Sequence, residues 1–168
     1  MYRTGHYGAA LLTYAPVGAV LMAAGFEAAA VVGGVGVLAL ARLPDYDLRV
    51  PFLSHRGPTH TLTFAVLVGA VVGGGLGALA GAAIPVRAVV LGAFGFLVGF
   101  LAIASHLLAD ALTPAGIEPL WPLSSKNYSL SLVGADSTVG NYGLLALGVF
   151  VSAITVLLAG PLDQVLVL

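Results

Sequence analysis

Long apolar runs separated by short polar segments set the organisation of this chain. Runs able to cover the roughly 20 residues that span a bilayer's hydrocarbon lie near Tyr7–Phe26, Thr61–Ala83, Ala88–Leu112 and Tyr142–Leu162. Between the first two, residues 28–43 form a shorter run rich in glycine (Gly33, Gly34, Gly36). Such a run suits a helix packed inside a bundle or crossing a locally thinned bilayer. Helix breakers or charges bound the runs at Gly25-Phe26-Glu27, Leu43-Pro44-Asp45, Ile84-Pro85 and Thr113-Pro114. The pattern predicts an all-α membrane protein, a bundle of about five transmembrane helices that forms one polytopic domain over residues 1–168. The first run follows a single arginine and has the outline of a signal peptide. No small-residue cleavage site followed by a polar mature chain appears, so helix one is expected to remain.

Composition strengthens this assignment. Of the 168 residues 60% are hydrophobic and 8% charged, against roughly 25% charged in an ordinary soluble domain. Mean hydropathy is +1.07. A net charge of −1 without a long basic run offers no electrostatic reason to expect nucleic acid as a partner. Cysteine is absent, which removes disulfides, thiolate metal sites and cysteine nucleophiles.

Five spans put the N-terminus, residues 42–59 and residues 113–141 on one side of the membrane. Arg3, Arg42, Arg49, Arg56 and Lys126 fall on that side and only Arg87 on the other. The positive-inside rule makes the first side cytoplasmic and puts the C-terminus outside. The same map collects His6, Asp45, Asp47, His55, His60, His106, Asp110, Glu118 and Asp136 in the cytoplasmic layer. His106 and Asp110 belong there because, at about 1.5 Å per residue, they lie about 27 to 33 Å from the start of the fourth run.

Three motifs in this layer can carry chemistry. In Ser105-His106-Leu107-Leu108-Ala109-Asp110, a histidine and an aspartate four residues apart project from one helix face and can grip one ion. The plainer alternative is a helix-end ion pair, but ionisable residues near hydrocarbon cost several kcal/mol unless compensated and tend to be functional. In His55-Arg56-Gly57-Pro58-Thr59-His60, each histidine can ligate through one ring nitrogen while the other is held by an acceptor. Arg56 can meet a phosphate or carboxylate bidentately, or simply anchor the helix at the interface. In Pro44-Asp45-Tyr46-Asp47, two loop carboxylates can bridge metals or act as general base, although acidic turns after helices are commonplace. His6 joins them by position. Four histidines and three aspartates offer nitrogen and oxygen ligands that suit zinc, manganese or iron, enough for one or two divalent ions.

At these residues the chain resembles the YdjM family of membrane-bound, metal-dependent hydrolases, described also as LexA-binding inner-membrane proteins. The likeness runs from His6 through Pro44–Asp47, His55–His60, Ser105–Asp110 and Leu120–Leu123, and its most specific part is the H-R-G-x-T-H and H-x-x-x-D pair. The resemblance implies a hydrolase. The order of histidines and aspartates is also similar to the zinc-dependent phospholipase C and nuclease group, but its later histidine ligands have no counterpart after Asp110, so a three-metal site is not implied.

Within the metal reading, the expected ligands are His6, Asp45, Asp47, His60, His106 and Asp110. Asp47 is the expected bridging ligand or general base, His55 a further ligand or proton shuttle, and Arg56 the group that meets substrate charge. Depth at the headgroup level suggests a lipid or lipid-linked phosphoester, with membrane lipids as partners and a small soluble substrate as the other option. Serine hydrolysis fits poorly, because no G-x-S-x-G elbow is present. A transporter would need polar groups or broken helices near the membrane's middle, where glycine clusters such as Gly73-Gly74-Gly75 could break a helix. A scaffold with a structural metal is the third reading. Residues 113–141 are expected to cap the site, with short strands around Tyr128–Val133.

Overall fold

The computed structural model describes residues 1–81 and 84–160. The last residues of the expected spans 61–83 and 142–162, and the C-terminus, lie outside the described residues. Among the described residues five helical segments are long and apolar enough to cross a membrane, the second of them running from Glu27 through the turn that ends at Arg49. The α-helices are α1 (Arg3–Ala23), α2 (Glu27–Leu40), α3 (Leu62–Leu79), α4 (Pro85–Ala111) and α5 (Thr138–Ala159). Tight 3-10 turns at Pro44–Arg49 and Pro58–His60 lie between α2 and α3. No strand occurs among the described residues. The region expected to hold short strands has one isolated bridge between Ile117 and Tyr128, because the amides that follow turn to the end of α4: Leu130 donates to Ala111 O, and Leu132 and Val133 to Leu112 O.

The helix ends are set by local chemistry. Thr61 Oγ1 accepts from Phe64 N at 3.1 Å and caps α3, and Ser137 caps α5 through Gly140 N at 3.1 Å. Proline at the first position of α4 suits a place where no amide donor is needed.

Packing follows the rule for helices in lipid, where association rests on close van der Waals fit rather than on a hydrophobic drive. α3 lies along α4 and α1 along α5, with α2 wedged against α1 and α4. Backbones come close enough that a Cβ on Gly73 would lie 2.6 Å from Gly92 O, and one on Gly148 would lie 2.6 Å from Gly8 O. Only glycine fits at those crossings. The buried apolar residues form two small clusters, one around Tyr14, Val37 and Val98, the other around Val68, Ile103 and Leu107. Large residues such as Val32, Val71, Val86 and Leu158 remain exposed, as lipid-facing positions must.

The alternation of helix directions brings the start of α1, the end of α2, the start of α3, the end of α4 and the start of α5 to one end of the bundle. Asn141 near the start of α5 accepts from Tyr2 N at 2.9 Å, which fastens α5 to the entry of α1.

Candidate metal centre

Among the described residues, every buried histidine and carboxylate belongs to this end. His6, His60 and His106 are fully buried, Asp110 is 1% exposed and Asp47 3%. His6 comes from the second turn of α1, His60 from the 3-10 turn before α3, and His106 and Asp110 from one face of α4. Asp45 opens the turn after α2, and its side chain is 18% exposed. The cluster therefore has one lip toward solvent.

Distances within it are those of groups converging on a shared point. His106 Nε2 lies 3.5 Å from Asp45 Oδ1 and 3.5 Å from Asp110 Oδ2. His60 Nε2 lies 3.6 Å from Asp110 Oδ2 and 3.9 Å from Asp45 Oδ1. His6 Nε2 lies 3.8 Å from Asp110 Oδ1 and 3.9 Å from Asp45 Oδ2. The His6 and His106 rings stack in parallel with centroids 3.8 Å apart.

The hydrogen-bond network determines where the protons on these rings are. His106 Nδ1 is 2.8 Å from Ala41 O, a carbonyl that can only accept, so Nδ1 carries the proton and Nε2 a lone pair. Thr59 Oγ1 donates its single proton to Asp47 Oδ2 at 2.9 Å. Its oxygen must then accept from His60 Nδ1 at 3.0 Å, with Asp47 Oδ2 a further acceptor at 3.3 Å. His60 Nε2 therefore also carries a lone pair. The two Nε2 atoms face each other at 3.2 Å. Burial first, and His106 next to it, push His60 down from its ordinary value to about 4, so His60 brings no second proton to the pair near neutrality. Two facing lone pairs repel unless a cation lies between them. With zinc–nitrogen bonds of about 2.0 to 2.1 Å, the edge of a tetrahedral site is about 3.3 to 3.4 Å, close to the separation seen here.

His6 supplies independent evidence. Neither of its ring nitrogens has a hydrogen-bond partner, although the side chain is fully buried. Such an orphaned group costs about 1 to 3 kcal/mol, a cost that ligation of an ion would remove for Nε2. The donor set of three imidazoles and two carboxylates fits zinc, manganese or iron.

Among the described residues three overlapping groups could hold an ion: His6, Asp45 and His106; Asp45, His55 and His60; His60, His106 and Asp110. Of the sequence-identified ligands, His6, Asp45, His60, His106 and Asp110 meet in this cluster. Asp47 belongs to none of the three groups. Its carboxylate turns to Thr59, to His60 Nδ1 and to His55 Nδ1 at 3.0 Å, and so stands behind the histidines. His55 is 40% exposed, and its outer edge lines a polar cavity of about 360 Å³ shared with Arg56.

Arg56 faces inward. Its Nη1 donates to Gly116 O at 2.7 Å and Thr113 Oγ1 at 3.3 Å, and its Nη2 to Asp110 Oδ1 at 3.2 Å. These bonds hold Arg56 at a φ of 63°, the left-handed region that a non-glycine residue adopts at a cost. Asp110 Oδ1 also lies 2.7 Å from the α-amino group of Met1.

Sequence reasoning did not find Thr59, the carbonyls of Ala41 and Gly116, or Thr113. Thr59 has a signal, since it sits inside the H-R-G-P-T-H motif. The main-chain oxygens have none.

Comparison with known families matches residues 1–165 to the profile described as YdjM inner membrane protein. No curated protein and no solved structure matches the chain.

Proposed function

The chain belongs to the YdjM inner membrane protein family, a multi-pass membrane family, and from that premise we propose that it is a metal-dependent hydrolase of phosphoesters at the cytoplasmic headgroup level. The observation that carries the metal is the pair of buried Nε2 lone pairs 3.2 Å apart, with both Nδ1 protons committed elsewhere. In this reading His6, His60, His106, Asp45 and Asp110 hold one or two ions, zinc by preference. A bound divalent ion would lower the pKa of water and polarise a phosphoryl oxygen.

The remaining residues supply orientation and proton handling. Asp47 holds His55, which lines the cavity, by Nδ1 and leaves its Nε2 available for proton exchange, the arrangement that makes an imidazole a general base or acid. Arg56 braces Asp110 and brings positive charge to the cavity wall, where a phosphate would be met. An apolar groove of about 290 Å³, lined by Leu62, Leu107, Leu108, Ala111 and Ile117 among others, runs at the same depth and supports a lipid substrate, whose acyl chain would lie there.

Detergent-purified protein loaded with zinc should carry one or two ions per chain and hydrolyse a phospholipid or a short-chain analogue. His106→Ala should lose both the metal and the activity. Full metal content in His106→Ala would refute the metal assignment; metal without turnover on any lipid or soluble phosphoester would leave a structural metal and defeat the hydrolase reading.

A further inference from the structure

The polar cavity beside His55 has two walls. One is the turn Ser54–Pro58, closed by Gly57 N donating to Ser54 O at 3.0 Å. The other carries Glu118 and Trp121, whose backbones are joined by Trp121 N donating to Glu118 O at 3.1 Å. This second wall is fixed to the bundle twice: Leu62 N donates to Pro119 O at 2.8 Å, and Gly116 O accepts from Arg56. The cavity is thus built from two pinned turns, and at about 360 Å³ it lies at the small end of the about 300 to 1,000 Å³ typical of ligand pockets. It has room for a headgroup but not for a chain.

Charge in the cavity is unevenly balanced. Arg56 is neutralised on its inner side by Asp110. Glu118 has no ion-pair partner among the described residues, and Lys126 lies instead over the Tyr128 ring, 5.2 Å from its centroid. Trp121, 43% exposed, lines the same cavity as Glu118, and tryptophan is the side chain whose face best attracts a cation. An unpaired carboxylate and an indole on one turn share the cavity with an arginine and a histidine on the other, a lining of both charge signs.

We infer that this cavity binds the headgroup of a zwitterionic phosphate ester, an alkylammonium group resting on Glu118 and Trp121 while its phosphate faces His55 and Arg56. The inference rests on the phosphoester reading above for the identity of the anionic half, but the cation subsite stands on Glu118 and Trp121 alone.

Trp121 is the single tryptophan of the chain, so its fluorescence reads the cavity directly. Full-length protein in detergent, with and without zinc, would be titrated with phosphoethanolamine, phosphocholine and glycerol 3-phosphate. In a second arm it would be placed in nanodiscs of phosphatidylethanolamine or of phosphatidylglycerol. A saturable change is expected with the two zwitterions and not with glycerol 3-phosphate. A response confined to phosphatidylethanolamine nanodiscs would make the ligand a lipid headgroup, and one to soluble phosphoethanolamine alone a free metabolite-sized ester; either supports the subsite. Glu118→Gln should weaken zwitterion binding tenfold or more, and Glu118→Asp less, with bound metal unchanged in both. Equal binding of glycerol 3-phosphate, unchanged affinity in Glu118→Gln, or loss of metal from that variant would overturn the assignment. Zwitterion binding in a protein that hydrolyses no phosphoester would retain the subsite and defeat only the hydrolase.

Discussion

Replacing Asp47 by Asn tests whether the metal centre depends on proton placement behind it. The Asp47 carboxylate takes the Thr59 hydroxyl at 2.9 Å, His55 Nδ1 at 3.0 Å and His60 Nδ1 at 3.3 Å, all from a side chain buried in the bundle. An amide of the same shape has one acceptor oxygen and an NH2 group that must face either His55 or the Thr59–His60 pair, where a donor would meet a donor. His60 can escape by moving its proton to Nε2, the atom aimed at His106, and a protonated Nε2 cannot ligate. A hydrogen bond to a charged acceptor is worth about 1.5 to 3 kcal/mol, which at about 1.4 kcal/mol per decade gives roughly a 10- to 100-fold loss of metal affinity. That range matches what outer hydrogen-bond partners of metal sites typically contribute. The assay is zinc competition against a chromophoric chelator of known affinity, with Asp110→Asn beside it as a variant that removes a proposed ligand. Wild-type affinity in Asp47→Asn would refute the tautomer argument. A loss as severe as that of Asp110→Asn, or one ion fewer per chain, would refute it in the other direction and make Asp47 a ligand.

Arg56→Lys should insert and keep its metal but lower turnover at least tenfold, because one ammonium cannot replace the contacts to Gly116, Thr113 and Asp110; full activity would reduce Arg56 to an anchor. Metal-stripped protein should lose thermal stability as pH falls from about 6.5 toward 4, since over that window the unfolded chain binds a proton on His60 that the folded site refuses. A flat melting profile across that range would contradict the buried neutral state. Reporter fusions in the Lys126 loop and at Leu168 should report opposite sides of the membrane, the loop being cytoplasmic, and the same side for both would overturn the proposed orientation.

The number and kind of helices were legible in the sequence because hydrocarbon is a severe solvent. It allows only helices or closed barrels to cross, so apolar runs of the right length between breakers leave little freedom. The gathering of titratable groups at one end was legible for the same reason, as charge buried mid-membrane is costly. Which of those groups would touch was not. His6, Asp45, His60 and the His106–Asp110 pair come from four separated segments, and only the packing of α1, α2 and α3 against α4, with backbone approaches as close as that of Gly73 to Gly92, brings them within 4 Å. The roles of Asp47 and Arg56 also depended on tertiary structure. Two aspartates in P-D-Y-D look equivalent along the chain, yet the 3-10 turn aims Asp45 into the cluster and Asp47 behind His60, since a residue step of about 120° in such a turn sends side chains two apart in different directions. The proton on His106 is set by the carbonyl of Ala41, a main-chain group that every residue possesses and no side-chain pattern can encode.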